Sequence, residues 1–418
     1  MNMRQIDLVV IGSGAAGMAA AIEAKKNGVN DLLILEKDEK LGGILNQCIH
    51  NGFGLTEFKE ELTGPEYLQR FVDEVKRLEI PYKLNAQVID LTKDKVITYS
   101  SKEDGLVKLQ AKAIIMATGC YERNAGAIML PGDRCSGVIT AGTAQRYLNI
   151  NGLMVGKRVV ILGSGDIGLI MARRLTLEGA KVLCVSEIMP YSAGLNRNIQ
   201  QCLIDYDIPL YLSRTVSKVI GKDRLEKVIL SAVDENLQII PNTEMEFECD
   251  TLILSVGLIP YVSLLNYIDC PISSTKGAVV NQYMETMIPG IFTAGNCLHV
   301  HDVVDFVSQE ARLAGRSAAL YLRNEIDNNE KKIAIKPGQN ISYVLPQFVL
   351  ENSVDDITFK FRVRKPLKDQ VVMIRSGETV LGKVVKPALI PSEMVMVSLS
   401  KDKLQEVKDE IVISVEDR

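Results

Sequence analysis

One pattern occurs twice in this chain and narrows what it can fold into. Ile6-Asp7-Leu8-Val9-Val10-Ile11 runs into Gly12-Ser13-Gly14-Ala15-Ala16-Gly17, a helical stretch follows, and Leu32-Leu33-Ile34-Leu35 ends at Glu36. Arg158-Val159-Val160-Ile161-Leu162 leads likewise into Gly163-Ser164-Gly165-Asp166-Ile167-Gly168, and the apolar run 181–186 ends at Glu187. Gly163, Gly165, Gly168 and Glu187 each stand 151 positions after Gly12, Gly14, Gly17 and Glu36. Each piece has a job in dinucleotide binding. The first glycine makes the tight turn, the second lets the backbone approach a pyrophosphate, and the third allows close helix–strand packing. The phosphates then meet the positive end of the helix, where free N–H groups point outward. The terminal acid accepts hydrogen bonds from ribose hydroxyls. Two such units predict two dinucleotides held at once.

The 418 residues suffice for two or three domains with buried cores. A net charge of −4 gives no reason to expect nucleic acid or an anionic membrane as partner. The N-terminus lacks a cleavage-site pattern, and no apolar run approaches the ~20 residues of a membrane span. Eight cysteines are scattered without a C-x-x-C pair or zinc-like cluster, which reads as reduced thiols in a cytoplasmic protein.

After Glu36 and Lys37 comes Gly42-Gly43, where backbone can pass close to a ligand, and then a polar loop, 44–54, expected to wall an active site. Thr63 and Glu66 form a capping-box pattern for a helix running to about Leu78. Short strands are predicted near Gln87–Leu91, which includes Val88, near Val96–Ser100 and near Val107–Leu109. Ala113–Ala117 reads as a buried parallel strand ending in Thr118-Gly119. Ile291–Ala294 reads as another, followed by a helix from about Val303 to Leu322, capped by Asp302 or Asp305, with Ser308, Ala311, Ala314 and Gly315 as a small-residue face. Beyond Ile333 the chain alternates as strands, over Ile357–Val363, Gln370–Ile374, Val380–Val385 and Glu393–Ser398, with a turn at Ser376-Gly377-Glu378. Its interleaved Lys and Arg read as a solvated surface or a partner face.

These strings, with Ser255-Val256-Gly257-Leu258-Ile259-Pro260 and Gly290-Ile291-Phe292-Thr293-Ala294-Gly295-Asn296, resemble the two-dinucleotide-binding flavoproteins related to thioredoxin and glutathione reductases, the pyridine nucleotide-disulfide oxidoreductases, over about residues 5 to 325. Leu41–Cys48, Gly163–Gly168 and Gly295–Asp305 look like a narrower group: NADH oxidase-like FAD/NAD oxidoreductases that accompany glycerol-3-phosphate dehydrogenase, and the α-subunits of opine and sarcosine oxidising complexes. The resemblance implies an α/β fold with two Rossmann-like, three-layer dinucleotide-binding domains, the second inserted in the first, plus a small β-rich C-terminal domain. FAD would occupy residues 1–118 and 250–325, NAD(H) residues 119–249, and the β-rich domain residues 333–418. It assigns FAD contacts to Gly12, Gly14, Ala15, Ala16, Gly17, Glu36, Lys37, Gly42, Gly43, Val88, Thr118, Gly119, Gly295 and Asn296. Asn296 stands where the family carries an aspartate on the flavin ribityl chain; an amide still hydrogen-bonds a hydroxyl. NAD(H) contacts fall to Gly163, Gly165, Asp166, Ile167, Gly168, Glu187 and Gly257. Glu187 favours NAD(H), because an acid there bonds the 2′-hydroxyl of NAD and repels the 2′-phosphate of NADP.

The chemistry that is missing narrows the function. Disulfide reductases of this family need two cysteines beside the flavin, and only Cys48 follows Gly42-Gly43. Cys48 is a candidate for a single redox thiol, although a free cysteine is often just a small buried apolar group. The three histidines are His50, His299 and His301. His50 and His301 are candidate proton shuttles on two loops expected beside the flavin. No metal site is expected, since no carboxylate array accompanies the histidines at ligand spacing. The expected function is FAD-dependent hydride transfer between NAD(H) and flavin N5, then onward to an unidentified acceptor. The alternatives are an electron-relay component of a multi-subunit glycerol-3-phosphate, amine or opine dehydrogenase, and a non-catalytic flavin-binding module. NADH is the expected partner. Further expected partners are the other polypeptide of such a dehydrogenase and, by analogy with two-module relatives, a second copy of the chain in a homo-oligomer.

Overall fold

The computed structural model describes residues 3–327 and 329–418. By the contacts between backbone positions the chain divides into two compact units. The first comprises residues 1–46, 51–120 and 260–418, and the second residues 47–50 and 121–259.

In the first unit, β1 (Arg4–Ile11) enters the glycine turn, and α1 (Ala15–Lys26) returns the chain to β2 (Leu32–Leu35), which pairs parallel with β1. α2 (Gly64–Arg77) starts at the predicted capping box, with Thr63 N–H donating to Glu66 Oε2 at 2.8 Å. Three strands follow: β3 (Ala86–Leu91), β4 (Val96–Ser101) and β5 (Gly105–Met116). The two short strands expected at 107–109 and 113–117 are one long strand. Its first half pairs antiparallel with β4 while its second half pairs parallel with β1, so a change of neighbour was mistaken for a change of element.

The second unit repeats the scheme. β6 (Arg158–Leu162), α3 (Asp166–Leu177) and β7 (Lys181–Ser186) lie in a five-stranded parallel arrangement with β8 (Thr251–Leu254) next to β6. The strands are apolar because both faces of a parallel sheet are covered.

The chain then closes the first unit. β9 (Ile291–Thr293) adds to the end of β5, and α4 (Val304–Leu322) lies against α1. The small-residue face of α4 has a direct cause: a Cβ on Gly315 would come within 2.2 Å of Ala20 O. Neither expected aspartate caps α4. The N-cap is Val303, with no side-chain cap; the Asp305 carboxylate accepts from Gly54 N–H and Thr56 N–H at 3.1 and 3.2 Å, and Asp302 faces the C-terminal segment. That segment runs through β10 (Lys332–Pro337), β11 (Ile341–Leu345), β12 (Ile357–Val363), β13 (Leu367–Ser376), β14 (Thr379–Leu389), β15 (Val395–Leu399) and β16 (Glu410–Asp417). The β13–β14 hairpin closes at Ser376 and Thr379 as the turn predicted. β10, β11 and β16 were not foreseen. β10 carries lysines and ends in proline, and its pairing with β16 on one side and residues 348–350 on the other makes it a strand. Phe359, Phe361, Ile413 and Val415 fill a core of their own here.

Candidate functional site

The two glycine turns are built on the same latch. Ser13 N–H and Oγ–H donate to Glu36 Oε2 at 2.8 and 2.5 Å, and Asp38 N–H donates to Glu36 Oε1 at 2.9 Å. Ser13 Oγ accepts in turn from Gly42 N–H at 3.2 Å. In the second unit Ser164 N–H and Oγ–H donate to Glu187 Oε2 at 2.9 and 2.6 Å, Met189 N–H donates to Oε1 at 3.0 Å, and Ser164 Oγ accepts from Ala193 N–H at 2.9 Å. Every partner keeps the same 151-residue offset. A carboxylate offers about four lone-pair positions, and each acid uses three of them on protein, leaving room on Oε1 for one further donor. The acids therefore fix the loop. The serines were missed by sequence reading, and their position inside both motifs was the available signal.

Neither helix has a side-chain cap at its N-cap glycine, Gly14 or Gly165, but the starts differ: α1 has no acid in its first turn. A Cβ on Gly14 would meet nothing within 4 Å, so the turn opens onto space. Gly17 is the opposite case, since a Cβ there would lie 1.8 Å from Gly12 O. In the second unit a Cβ on Gly165 would meet Ser255 Oγ at 3.3 Å, and Ser255 Oγ accepts from Gly168 N–H at 3.1 Å. Asp166 opens α3, with its Oδ1 accepting from Leu195 N–H and Asn198 Nδ2 at 2.8 and 2.7 Å.

Of the remaining first-unit candidates, Ala15 and Ala16 are buried in α1, Lys37 is exposed, and Val88 has its side chain in the core, opposite Tyr99. Gly43 lies against the Gly14 backbone, and Thr118 Oγ1 donates to Tyr261 O at 2.7 Å, beside the open side of Gly119. In the second unit, Ile167 is half-buried and Gly257 O accepts from Arg123 N–H at 3.0 Å.

Cys48 and His50 belong to the second unit. The Cys48 thiol lies 3.8 Å from Gln145 Oε1, and burial pushes its pKa up to about 12. It is a thiol at neutral pH, the form that does not attack. His50 is half-buried.

His299 and His301 belong to the first unit and do meet, with ring centroids 4.0 Å apart. Their partner is Glu310, fully buried on α4 and unforeseen as a site residue. Glu310 Oε2 lies 2.8 Å from His299 Nε2, 2.7 Å from Lys360 Nζ and 3.4 Å from His301 Nε2; Oε1 accepts from Gly295 N–H at 2.9 Å. Burial drives the His299 pKa down to about 4, with help from His301, so the ring is neutral and donates Nε2–H to Glu310. Burial alone would raise Glu310, but Lys360, then His299 and His301, override it and hold the carboxyl well below its usual range. Among the described residues, His299 Nδ1 and His301 Nε2 are buried with no hydrogen-bond partner. His299, His301 and Glu310 place donor atoms within 4.8 Å of one another, the carboxylate the sequence reading did not find beside the histidines. Lys360 already holds its positive charge on the shared oxygen, which opposes a second cation there.

Asn296 is oriented by the same loop. Its Oδ1 accepts from His301 N–H at 3.1 Å and lies 3.3 Å from His301 Nδ1, while Nδ2 faces Cys120 Sγ at 3.7 Å. Among the described residues no helix is long and apolar enough to cross a membrane.

With this geometry, the comparisons with known proteins are consistent. The chain is similar to the NADH oxidase of Methanocaldococcus jannaschii, 25% identical over 376 residues, covering 84% of this chain and 73% of that one. It is similar to an opine oxidase subunit of Agrobacterium tumefaciens, 27% identical over 336 residues, covering 75% of this chain and 64% of that one. Among solved structures, thioredoxin reductase of T. acidophilum superposes with a TM-score of 0.60 at 25% identity, covering 77% of this chain and 99% of that one. The model of the pyridine nucleotide-disulphide oxidoreductases matches residues 6–318. The chain belongs to that family, whose members are FAD- and NAD(P)H-dependent oxidoreductases of Rossmann-like α/β fold.

Proposed function

We propose that this protein transfers a hydride between NAD(H) and N5 of FAD and passes the electron pair to a separate acceptor, without a redox-active disulfide. The observation that carries the reading is the doubled latch with unlike helix starts. The first turn opens an uncapped, acid-free helix end onto free space, which suits a resident pyrophosphate. The second sets Asp166 at the helix start, which weakens anion binding and suits a nucleotide that leaves each cycle.

The residues present fit FAD in the first module. The open side of Gly14 would take the pyrophosphate, Glu36 Oε1 a ribose hydroxyl, and the second Nδ2–H of Asn296 a ribityl hydroxyl. FAD supplies the two-electron centre when bound; the chain binds and orients it. Residues 1–118 and 250–325 form the FAD domain in this reading, and residues 119–249 the NAD(H) domain. Glu187 selects NAD(H) over NADP(H). The raised pKa of Cys48 and the absence of a cysteine pair near the glycine turns support a route that avoids disulfide exchange. The likeness to a relative named as one component of an opine oxidase favours a second reading, in which the acceptor is a partner dehydrogenase polypeptide.

Anaerobic titration of the purified protein with NADH, and separately NADPH, following flavin absorbance, tests the proposal. Bleaching at stoichiometric NADH with a much weaker response to NADPH is expected. Bound flavin that neither nucleotide bleaches would overturn it.

A further inference from the structure

We propose that the β-rich C-terminal segment completes the flavin site, with Lys360 and Arg362 as positioning residues that hold the Gly295–Asp302 loop, and with it Asn296, in place. The inference rests on the assignment of FAD to the first module. Lys360 and Arg362 are two apart on β12, so both side chains leave the same face of the strand. Lys360 Nζ reaches Glu310 Oε2 at 2.7 Å, and Glu310 Oε1 holds Gly295 N–H at 2.9 Å. Arg362 reaches the far end of the loop, donating to Asp302 Oδ1 at 2.5 Å and Val300 O at 3.2 Å. Asp302 Oδ2 also accepts from Met394 N–H at 3.0 Å, a second tie to the C-terminal segment. Between these anchors lie Asn296 and His301, each oriented by the other.

Charge explains why the segment is needed. Of the three carboxylates buried on the loop and α4, Asp305 accepts from the Gly54 and Thr56 N–H groups, and the other two, Asp302 and Glu310, take their compensating cations from the β-rich segment. Without Lys360, Glu310 Oε2 keeps two imidazoles, of which His299 is neutral, while Oε1 keeps the Gly295 N–H. Leaving a buried charge without its partner is strongly destabilising, and the charge at stake anchors the Gly295 backbone, one residue before the proposed ribityl contact. Tyr343, on β11, adds to the enclosure: its hydroxyl accepts from Arg362 Nε at 3.2 Å and its ring stands edge-on to His299.

The test compares wild-type protein with K360M, K360R and the double variant E310Q/K360M, whose interior is neutral and so does not hold an uncompensated charge. Three quantities are read: flavin retained through gel filtration, the dissociation constant from the fluorescence of released FAD, and the visible spectrum of the bound flavin. K360M and the double variant should release FAD about tenfold more readily, with a shifted spectrum, the scale of one lost charge-assisted anchor. K360R should restore most of the retention, which loss of packing alone would not predict. A double variant that melts like wild type, binds FAD as tightly and keeps the same spectrum would overturn the inference. Wild-type protein that binds no FAD at all would overturn the flavin assignment beneath it.

Discussion

The two glycine modules share a latch and differ in what surrounds it. Both use a serine between the first two glycines to clamp the acid at the end of the second strand, with distances matching to within about 0.1 Å. They part company at the helix start, where Ala15 in one corresponds to Asp166 in the other, and at the strand beside the turn, where Ala117 corresponds to Ser255. The latch is common to both turns, and the residues around it make the difference; in the proposed function that difference separates a bound cofactor from an exchanging substrate.

The largest expected effect comes from the third glycine. Gly17→Ala places a methyl 1.8 Å from a backbone oxygen, whereas Gly168→Ala first meets the side chain of Ser255 at 2.7 Å. Overpacking of this kind costs about 1–3 kcal/mol or more. Gly17→Ala should give protein without flavin, read from the ratio of flavin to protein absorbance. Gly168→Ala should keep its flavin and raise the KM for NADH. Equal flavin loss in both would break the comparison.

Exchanging the helix starts should sharpen it. Ala15→Asp sets a negative charge where the pyrophosphate of FAD is expected, and flavin affinity should fall by about tenfold or more. Asp166→Asn keeps an oxygen to accept from Leu195 and Asn198, yet removes the charge. The KM for NADH should then drop by about two- to fivefold, the size of a helix-terminus interaction. An unchanged KM would mean that Asp166 serves only the loop.

The smallest effect is expected at Cys48. Its thiol is held protonated by burial, so Cys48→Ser should leave the rate of flavin reduction by NADH within about twofold, measured by anaerobic stopped flow. A loss of a hundredfold would restore Cys48 as a redox centre.

Most of the scaffold was legible from the sequence, because a local pattern encodes it: an apolar strand, a glycine turn, a helix, a second strand and an acid. The polar cluster was not. Glu310 follows Ser308 and Gln309 on a helix and reads as a solvent-facing acid until β12 is laid over it. Lys360 and Arg362 alternate with apolar residues, the mark of a strand with one wet face, and the structure corrects that reading: both carry most of their side chains inside. Asp302 and Asp305 sat at a cap position, yet backbone N–H groups and an arginine from distant segments took their oxygens. Contacts of high sequence separation leave no periodic trace in the chain that makes them.

The split first unit has a consequence for how this protein is made. β5 leaves the ribosome long before β9 arrives to cover its edge, and α1 waits for Gly315 of α4 to close over Ala20. Every residue of the second unit beyond 120 is synthesised in between. The inserted module can fold first, on its own contacts, while the host module stays open with the β9-facing edge of β5 unpaired and an exposed apolar helix. A nascent chain stalled before residue 291 would carry a finished second unit tethered to an unfinished first one.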